Sequence, residues 1–184
     1  MARLSCFCPI MEVGPTDDRA PWDMAREPSY DVELIAIWRT YAKLHTRLMD
    51  YSYQCAKEAW KTGVPIVRPL FLAYPKLQQS WEDWQTYCYG PDILVSAIWE
   101  KGTTKHKLYL PAPDEWVDAW DTSKVYQGGQ IITVDAPLYK MPIFIKKGAK
   151  VLKSFADLQK LYDESLAIAK NKPDIKALEN KTVW

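Results

Sequence analysis

Gly63-Val64-Pro65-Ile66-Val67-Arg68-Pro69-Leu70-Phe71 is where the periodicity of the chain changes. Upstream of it, Leu34, Ile37, Trp38, Tyr41, Leu44, Leu48, Tyr51, Cys55 and Trp60 recur at three- and four-residue steps, one apolar stripe of a helix over residues 30–62. Ser29, after Pro28, can cap its start, and Asp31 and Glu33 fall in the first turn, where the helix dipole favours acids. Gly63 and Pro65 stand where a C-cap belongs. The helix is long for a globular protein, so a bend or break near Asp50 is expected. Downstream the pattern is β. Short apolar runs at Ile66–Leu72, Ile93–Ile98, Lys107–Leu110, Trp116–Trp120, Gln130–Val134 and Pro142–Ile145 are separated by Pro, Gly and Asp, as in an antiparallel sandwich. Gly128-Gly129 and Lys101-Gly102 read as hairpin turns.

Further out, Cys6–Val13 reads as one strand, apolar on both faces as a strand covered on both sides would be. Residues 14–29 form a loop punctuated by Gly14-Pro15, Asp17-Asp18, Ala20-Pro21 and Pro28, and carry Trp22-Asp23, an aromatic beside a carboxylate. At the other end, residues 153–170 place Leu158, Leu161, Tyr162, Ser165 and Leu166 on one helical face. The tail beyond Pro173 is polar, and the lysines from Lys140 onward read as a solvated surface. A lone strand and helix have no partner sheet of their own, so this architecture is incomplete.

Composition bounds the function. The chain has 184 residues, 48% hydrophobic and 26% charged, which excludes intrinsic disorder. A net charge of +1 provides no global field toward nucleic acid or anionic lipid. Apolar runs such as Leu34–Trp38 are far too short to cross a bilayer, and the first residues reach Pro9 without an apolar core, so no signal peptide is read. The chain reads as soluble, and as cytoplasmic if translated as written. Four cysteines, Cys6, Cys8, Cys55 and Cys88, form no CxxC pair, and His45 and His106 are the only histidines, so neither a zinc site nor another cofactor is expected. Reduced buried thiols are favoured; a disulfide from Cys6 to Cys55 or Cys88 stays open. The unusual entries are 9 Trp and 11 Tyr, which point to a large core, a sugar-binding surface, or both.

Residue by residue, the chemistry is sparse. There is no G-x-S-x-G elbow and no Gly-rich phosphate loop. His45 beside Leu44 reads as a packed histidine and His106, in Lys105-His106-Lys107, as part of a solvated hairpin. Arg68, in an apolar strand, is expected to be buried and paired. Trp81-Glu82-Asp83-Trp84 reads as a helix or turn surface with aromatic packing, and Asp118 as a turn anchor. Most Trp and Tyr residues are assigned to core packing.

The ordered motifs nevertheless resemble one family. Phe7-Cys8-Pro9-Ile10-Met11, the long helix, and Gly63 to Phe71 are similar to segments of glycoside hydrolase family 31. Tyr89-Gly90-Pro91-Asp92-Ile93-Leu94-Val95 resembles its G-[PD]-x-[LI]-[LI]-V segment. Leu110-Pro111, Trp116-Val117-Asp118-Ala119-Trp120 and Tyr126-Gln127-Gly128-Gly129-Gln130 resemble its L-P…W-x-D-x-[WF]…Y-x-G-G run. Ala136-Pro137-Leu138 and Met141 to Gly148 resemble its A-P-L…[IL]-P-[VI]-[FY]-x-[RK]-x-G ending. The likeness covers about residues 5–150, in order.

The resemblance implies an α+β fragment: the last strand and helix of a (β/α)8 barrel, residues 1–62, then the proximal antiparallel β-sandwich, residues 63–150, then a helix and polar tail, residues 151–184. It implies the C-terminal part of a retaining α-glycosidase, α-glucosidase-like, acting on an α-linked sugar without a cofactor or metal. Retention needs two carboxyl groups about 5–5.5 Å apart. In the family both are Asp on earlier barrel strands, the first in W-x-D-M-[NS]-E. Trp22-Asp23-Met24-Ala25-Arg26-Glu27 lacks the spacer and follows the Phe7–Met11 segment, so it reads as a decoy and no catalytic residue is assigned. Barrel active sites lie at the C-terminal ends of strands, which would put Glu12, Trp22 and Asp23 at the pocket as substrate-binding candidates. Glu12 stands where the family usually has a sugar-contacting Arg, and Gly14 where it has a His. The rival reading is a non-catalytic β-sandwich that binds carbohydrate or complements a separate barrel chain. Apolar surface on the helix and first strand implies the missing barrel portion, or a second copy, as partner; no nucleic acid or membrane is implied.

Overall fold

The computed structural model describes residues 2–12 and 31–171. It opens with one helical turn, α1 (Ala2–Ser5), followed by two helices, α2 (Val32–Arg47) and α3 (Met49–Thr62). Eight strands follow: β1 (Val67–Pro69), β2 (Thr86–Tyr89), β3 (Ile93–Ser96), β4 (Lys105–Leu110), β5 (Glu115–Asp118), β6 (Val125–Gln127), β7 (Gln130–Asp135) and β8 (Ile143–Lys146). Two single-turn helices, α4 (Leu70–Ala73) and α5 (Gln79–Glu82), lie between β1 and β2. A 3-10 segment, Lys150–Phe155, leads into α6 (Leu158–Lys170).

The long helix breaks at Leu48, two residues from the expected position. The Leu48 N–H is shared between the Leu44 and His45 carbonyls, at 3.1 and 3.0 Å, so the chain stays nearly helical across the break. The cap of α2 is Asp31, whose Oδ1 accepts from Leu34 N–H; Ser29, read as the cap, lies outside the described residues. Gly63 ends α3 in the left-handed region, φ 76°, with its N–H on the Ala59 carbonyl.

Six strands form one antiparallel sheet in the order β1-β2-β3-β8-β5-β6, and β4 and β7 form a second. Alternation sorts the side chains between the two faces. Tyr89, Ile93, Val95, Ile143 and Ile145 face one buried cluster with α2, the 3-10 segment and α6; Cys88, Leu94, Phe144 and Trp116 face another with Leu108 and Leu110 of the small sheet. The central β3 is covered on both faces, which is why its four residues are all apolar or tightly bonded. On the helix side, the Tyr41 hydroxyl donates to the Tyr139 carbonyl (2.8 Å) and accepts from Met141 N–H (3.1 Å), while Trp120 Nε1 donates to the Met141 carbonyl (2.8 Å).

Three expectations need correction. No strand occupies residues 6–12: Ala2–Ser5 is helical and the following residues turn, because a parallel strand needs a neighbour's ladder and none of the strands described pairs its backbone with this segment. Gly128-Gly129 is not a hairpin, since β6 pairs with β5 and β7 with β4. It carries the chain from one sheet to the other: Gly128 N–H donates to Asp114 and Gly129 N–H to the Leu110 carbonyl, so close to Pro111 and Asp114 that a Cβ on Gly128 would collide with their carbonyls. Lys101-Gly102 likewise links β3 to β4, which do not pair. The tight turn that the sequence reading passed over is Gly90-Pro91-Asp92, joining β2 to β3.

Candidate functional site

The N-terminal segment is anchored up to the point where the candidate pocket residues begin. Phe7 is fully buried, edge-on to Tyr89 at 6.1 Å and stacked with Phe155 at 6.4 Å. His45 Nδ1 lies 2.8 Å from the Cys6 carbonyl, so this histidine is indeed a packing residue on α2. Beyond Phe7 the chain emerges: Ile10 and Glu12 are exposed. Trp22 and Asp23 lie outside the described residues, so Glu12 is the one candidate whose position is given.

Several carboxylates of the sandwich are occupied. Asp118 Oδ1 accepts from Trp120 N–H at 2.8 Å, anchoring the turn after β5 as expected. Asp114 Oδ2 accepts from the Tyr74 hydroxyl (2.7 Å) and pairs with Lys146 (3.0 Å). Glu115 pairs with Lys147 and accepts from Gln127, bonds that hold its carboxyl below the usual range. Burial raises Asp92, against the opposing charges of Lys146 and Arg68. Glu58 of α3 pairs with the buried Arg68 of β1 at 3.0 Å, and Arg68 Nε donates to the Pro65 carbonyl. Asp114, Glu115, Asp118 and the Glu58–Arg68 pair each fix a turn or join two elements, an arrangement that leaves them tied to scaffold partners.

Cysteine chemistry is muted. All four thiols are free; Cys6, Cys55 and Cys88 are buried, and burial pushes Cys88 up to about 12, so it stays protonated. Among the described residues no group of three His, Cys, Asp or Glu side chains could hold a metal ion, and no helix is long and apolar enough to cross a membrane.

His106 and part of the tryptophan set depart from their expected surroundings. His106 is buried, not solvated: its Nε2 lies 2.8 Å from Ser96 Oγ, which lies 2.8 Å from Thr86 Oγ1, a polar chain running from β2 through β3 to β4. The flanking Lys105 and Lys107 masked this, because alternation turns them outward as it turns His106 inward. The indoles divide: Trp81 and Trp84 lie on a surface with aromatic packing, as expected, whereas Trp60, on the helical stripe, is at the surface and not in the core. Trp116 and Trp120 are core, but Trp60, Trp81, Trp84 and Trp99 are exposed. Trp81 stacks on Phe71 (5.1 Å) and donates to the Pro75 carbonyl, whereas Trp84 and Trp99 lean on each other at 5.9 Å.

Residues 63–151, which contain every strand among the described residues, match the glycosyl hydrolase family 31 C-terminal domain. The chain belongs to glycoside hydrolase family 31. It is 32% identical over 157 residues to a sulfoquinovosidase of Agrobacterium fabrum, covering 85% of this chain and 23% of that protein. It is 31% identical over 146 residues to an α-xylosidase of Saccharolobus solfataricus, covering 79% and 19% respectively. Among solved structures, a family 31 sulfoquinovosidase from E. rectale in complex with an aza-sugar inhibitor superposes with a TM-score of 0.73 at 27% identity, over 88% of this chain and 23% of the other. A family 31 α-xylosidase from a soil metagenome, complexed with xylose, gives 0.72 at 30% identity, over 84% and 25%. The chain thus spans about a quarter of the length of these family 31 relatives or less, and it corresponds to their C-terminal portion.

Proposed function

We propose that this chain is the C-terminal part of a retaining α-glycosidase, α-glucosidase-like, hydrolysing O-glycosidic bonds. In this reading residues 1–62 belong to the C-terminal end of the catalytic barrel, with the segment after α1 extending into its last strand only against the neighbouring barrel strands, residues 63–150 form the proximal sandwich, and residues 151–184 a closing helix and tail. The observation that carries it is the match of residues 63–151 to the family's C-terminal domain, with the anchored Phe7 segment leading out toward Glu12. Glu12, Trp22 and Asp23 contact the α-linked sugar in the assembled enzyme. The two catalytic carboxylates come from barrel strands that precede this sequence, so the chain alone is inactive. A retaining mechanism needs a nucleophile and a proton donor about 5–5.5 Å apart, and Asp114, Glu115 and Asp118 of the sandwich are committed to turns and ion pairs instead.

The partner is the remaining barrel portion, which covers apolar surface on α3. Purified 184-residue protein should release no nitrophenol from a nitrophenyl α-glucoside. Mixing it with a polypeptide that carries the W-x-D-M-[NS]-E barrel segments should restore release. Hydrolysis that follows the 184-residue protein through purification would overturn the reading.

A further inference from the structure

Trp84 and Trp99 sit at the end of the sandwich, just past β2 and β3. The pairing Thr86↔Ser96, extended by the Ala97 N–H bond to the Gln85 carbonyl, sets residue 84 opposite residue 98, which brings Trp84 and the next residue, Trp99, together just beyond the ladder. They lie 5.9 Å apart, inclined by 43°, and remain 75% and 64% exposed. The indole N–H groups of Trp81, Trp116 and Trp120 donate to carbonyls; among the described residues those of Trp84 and Trp99 donate to none.

Two open clefts flank the pair. One, of about 280 Å³, is lined by Trp84 with Glu82, Asp83 and Lys107; the other, of about 220 Å³, by Trp99 with Glu100 and Thr103. Gln85 and Lys107 line both. The platform is held from beneath. Asp83 Oδ1 accepts from Gln85 and Thr86 N–H at 3.1 and 3.0 Å, and the buried Thr86–Ser96–His106 chain ties β2, β3 and β4 directly below. A pre-set pair of indoles loses little freedom on binding, and that lowers the cost of capturing a ligand.

We infer that the Trp84–Trp99 platform and its two clefts form a sugar-binding surface that takes consecutive residues of an α-glucan chain. A pyranose offers a C–H face that packs on an indole and a rim of hydroxyls that suits carboxylate, amide and ammonium groups, which is the combination displayed here. An aliphatic protein partner would leave those flanking charges unpaired as it covered the indoles. The site rests on this geometry; the choice of an α-linked glucan rests on the family reading above.

Affinity electrophoresis of the 184-residue chain, in gels with dextran, with a β-glucan, or with no polysaccharide, tests it. Dextran should retard the chain. Trp84→Ala and Trp99→Ala should each raise the dextran concentration needed for half-retardation roughly ten-fold, the size of one lost stacking contact. Trp84→Phe, which keeps a ring face, should retain most of the retardation. Near-ultraviolet circular dichroism checks folding; should an indole variant fail to fold, Lys107→Ala and Gln85→Ala carry the test and should weaken retardation. Equal mobility with and without dextran, equal retardation of folded variants and parent, or retardation by the β-glucan alone would each overturn the inference. Hydrolysis assays report on the catalytic reading separately, and neither outcome decides the other.

Discussion

His106 should make the sandwich sensitive to acid. Burial lowers its pKa below that of a free histidine, against the weaker opposing charges of Asp83 and Glu100, and its Nε2 is already committed to Ser96 Oγ. The unfolded chain takes up a proton near the ordinary histidine pKa, which the folded chain resists. The unfolded state therefore binds more protons in this window, and stability falls as the pH drops from about 6.5 through the depressed folded value. His106→Gln removes the titration. Urea midpoints measured from pH 7.5 to 5.0 should decline less for the variant than for the parent; parallel declines would assign the acid sensitivity elsewhere. At this scale the sequence was partly opaque. His106 between two lysines reads as solvent-facing, and only its phase in β4 reveals otherwise.

At the scale of elements, the β2–β3 turn and α3 hold each other. The Tyr51 hydroxyl donates to the Tyr89 carbonyl at 3.0 Å and accepts from Asp92 N–H at 2.9 Å, so one side chain of α3 bridges both arms of the turn. Gly90 has φ +64°, and a Cβ there would strike Tyr51 Oη and Cys55 Sγ. Gly90→Ala should therefore destabilise the chain by about 2–4 kcal/mol, from left-handed strain plus overpacking, read from urea unfolding. A loss below about 0.5 kcal/mol would mean that α3 yields at no cost. Legibility at this scale was uneven. Periodicity placed the helices and most strands, since amphipathic faces repeat locally. It passed over β2, whose Thr86-Tyr87-Cys88-Tyr89 looks like neither alternation nor an apolar run, and it misread the crossovers at Gly102 and Gly129 as hairpins. Glycine reports that a tight or left-handed backbone is needed, not which strands lie on either side.

For the whole molecule, α3 is the exposed flank. Cys55 is its one buried residue, and Met49, Tyr53 and Trp60 project from the surface, Trp60 with 90% of its area exposed. An apolar stripe of this kind drives association when nothing covers it. The isolated chain should elute in size-exclusion chromatography with an apparent mass that rises with loading concentration, and Tyr53→Lys combined with Trp60→Lys should suppress the rise. A concentration-independent monomer for the parent would show that the stripe is inert in water. The sequence by itself determined the family likeness, the helix stop at Gly63 and the sandwich that follows, because these depend on local patterns and ordered motifs. Only the tertiary structure decided which strands pair, that His106 lies inside, and that Trp84 and Trp99 meet at the surface. Those features depend on register and on the stacking of two sheets, which bring together residues far apart in the chain.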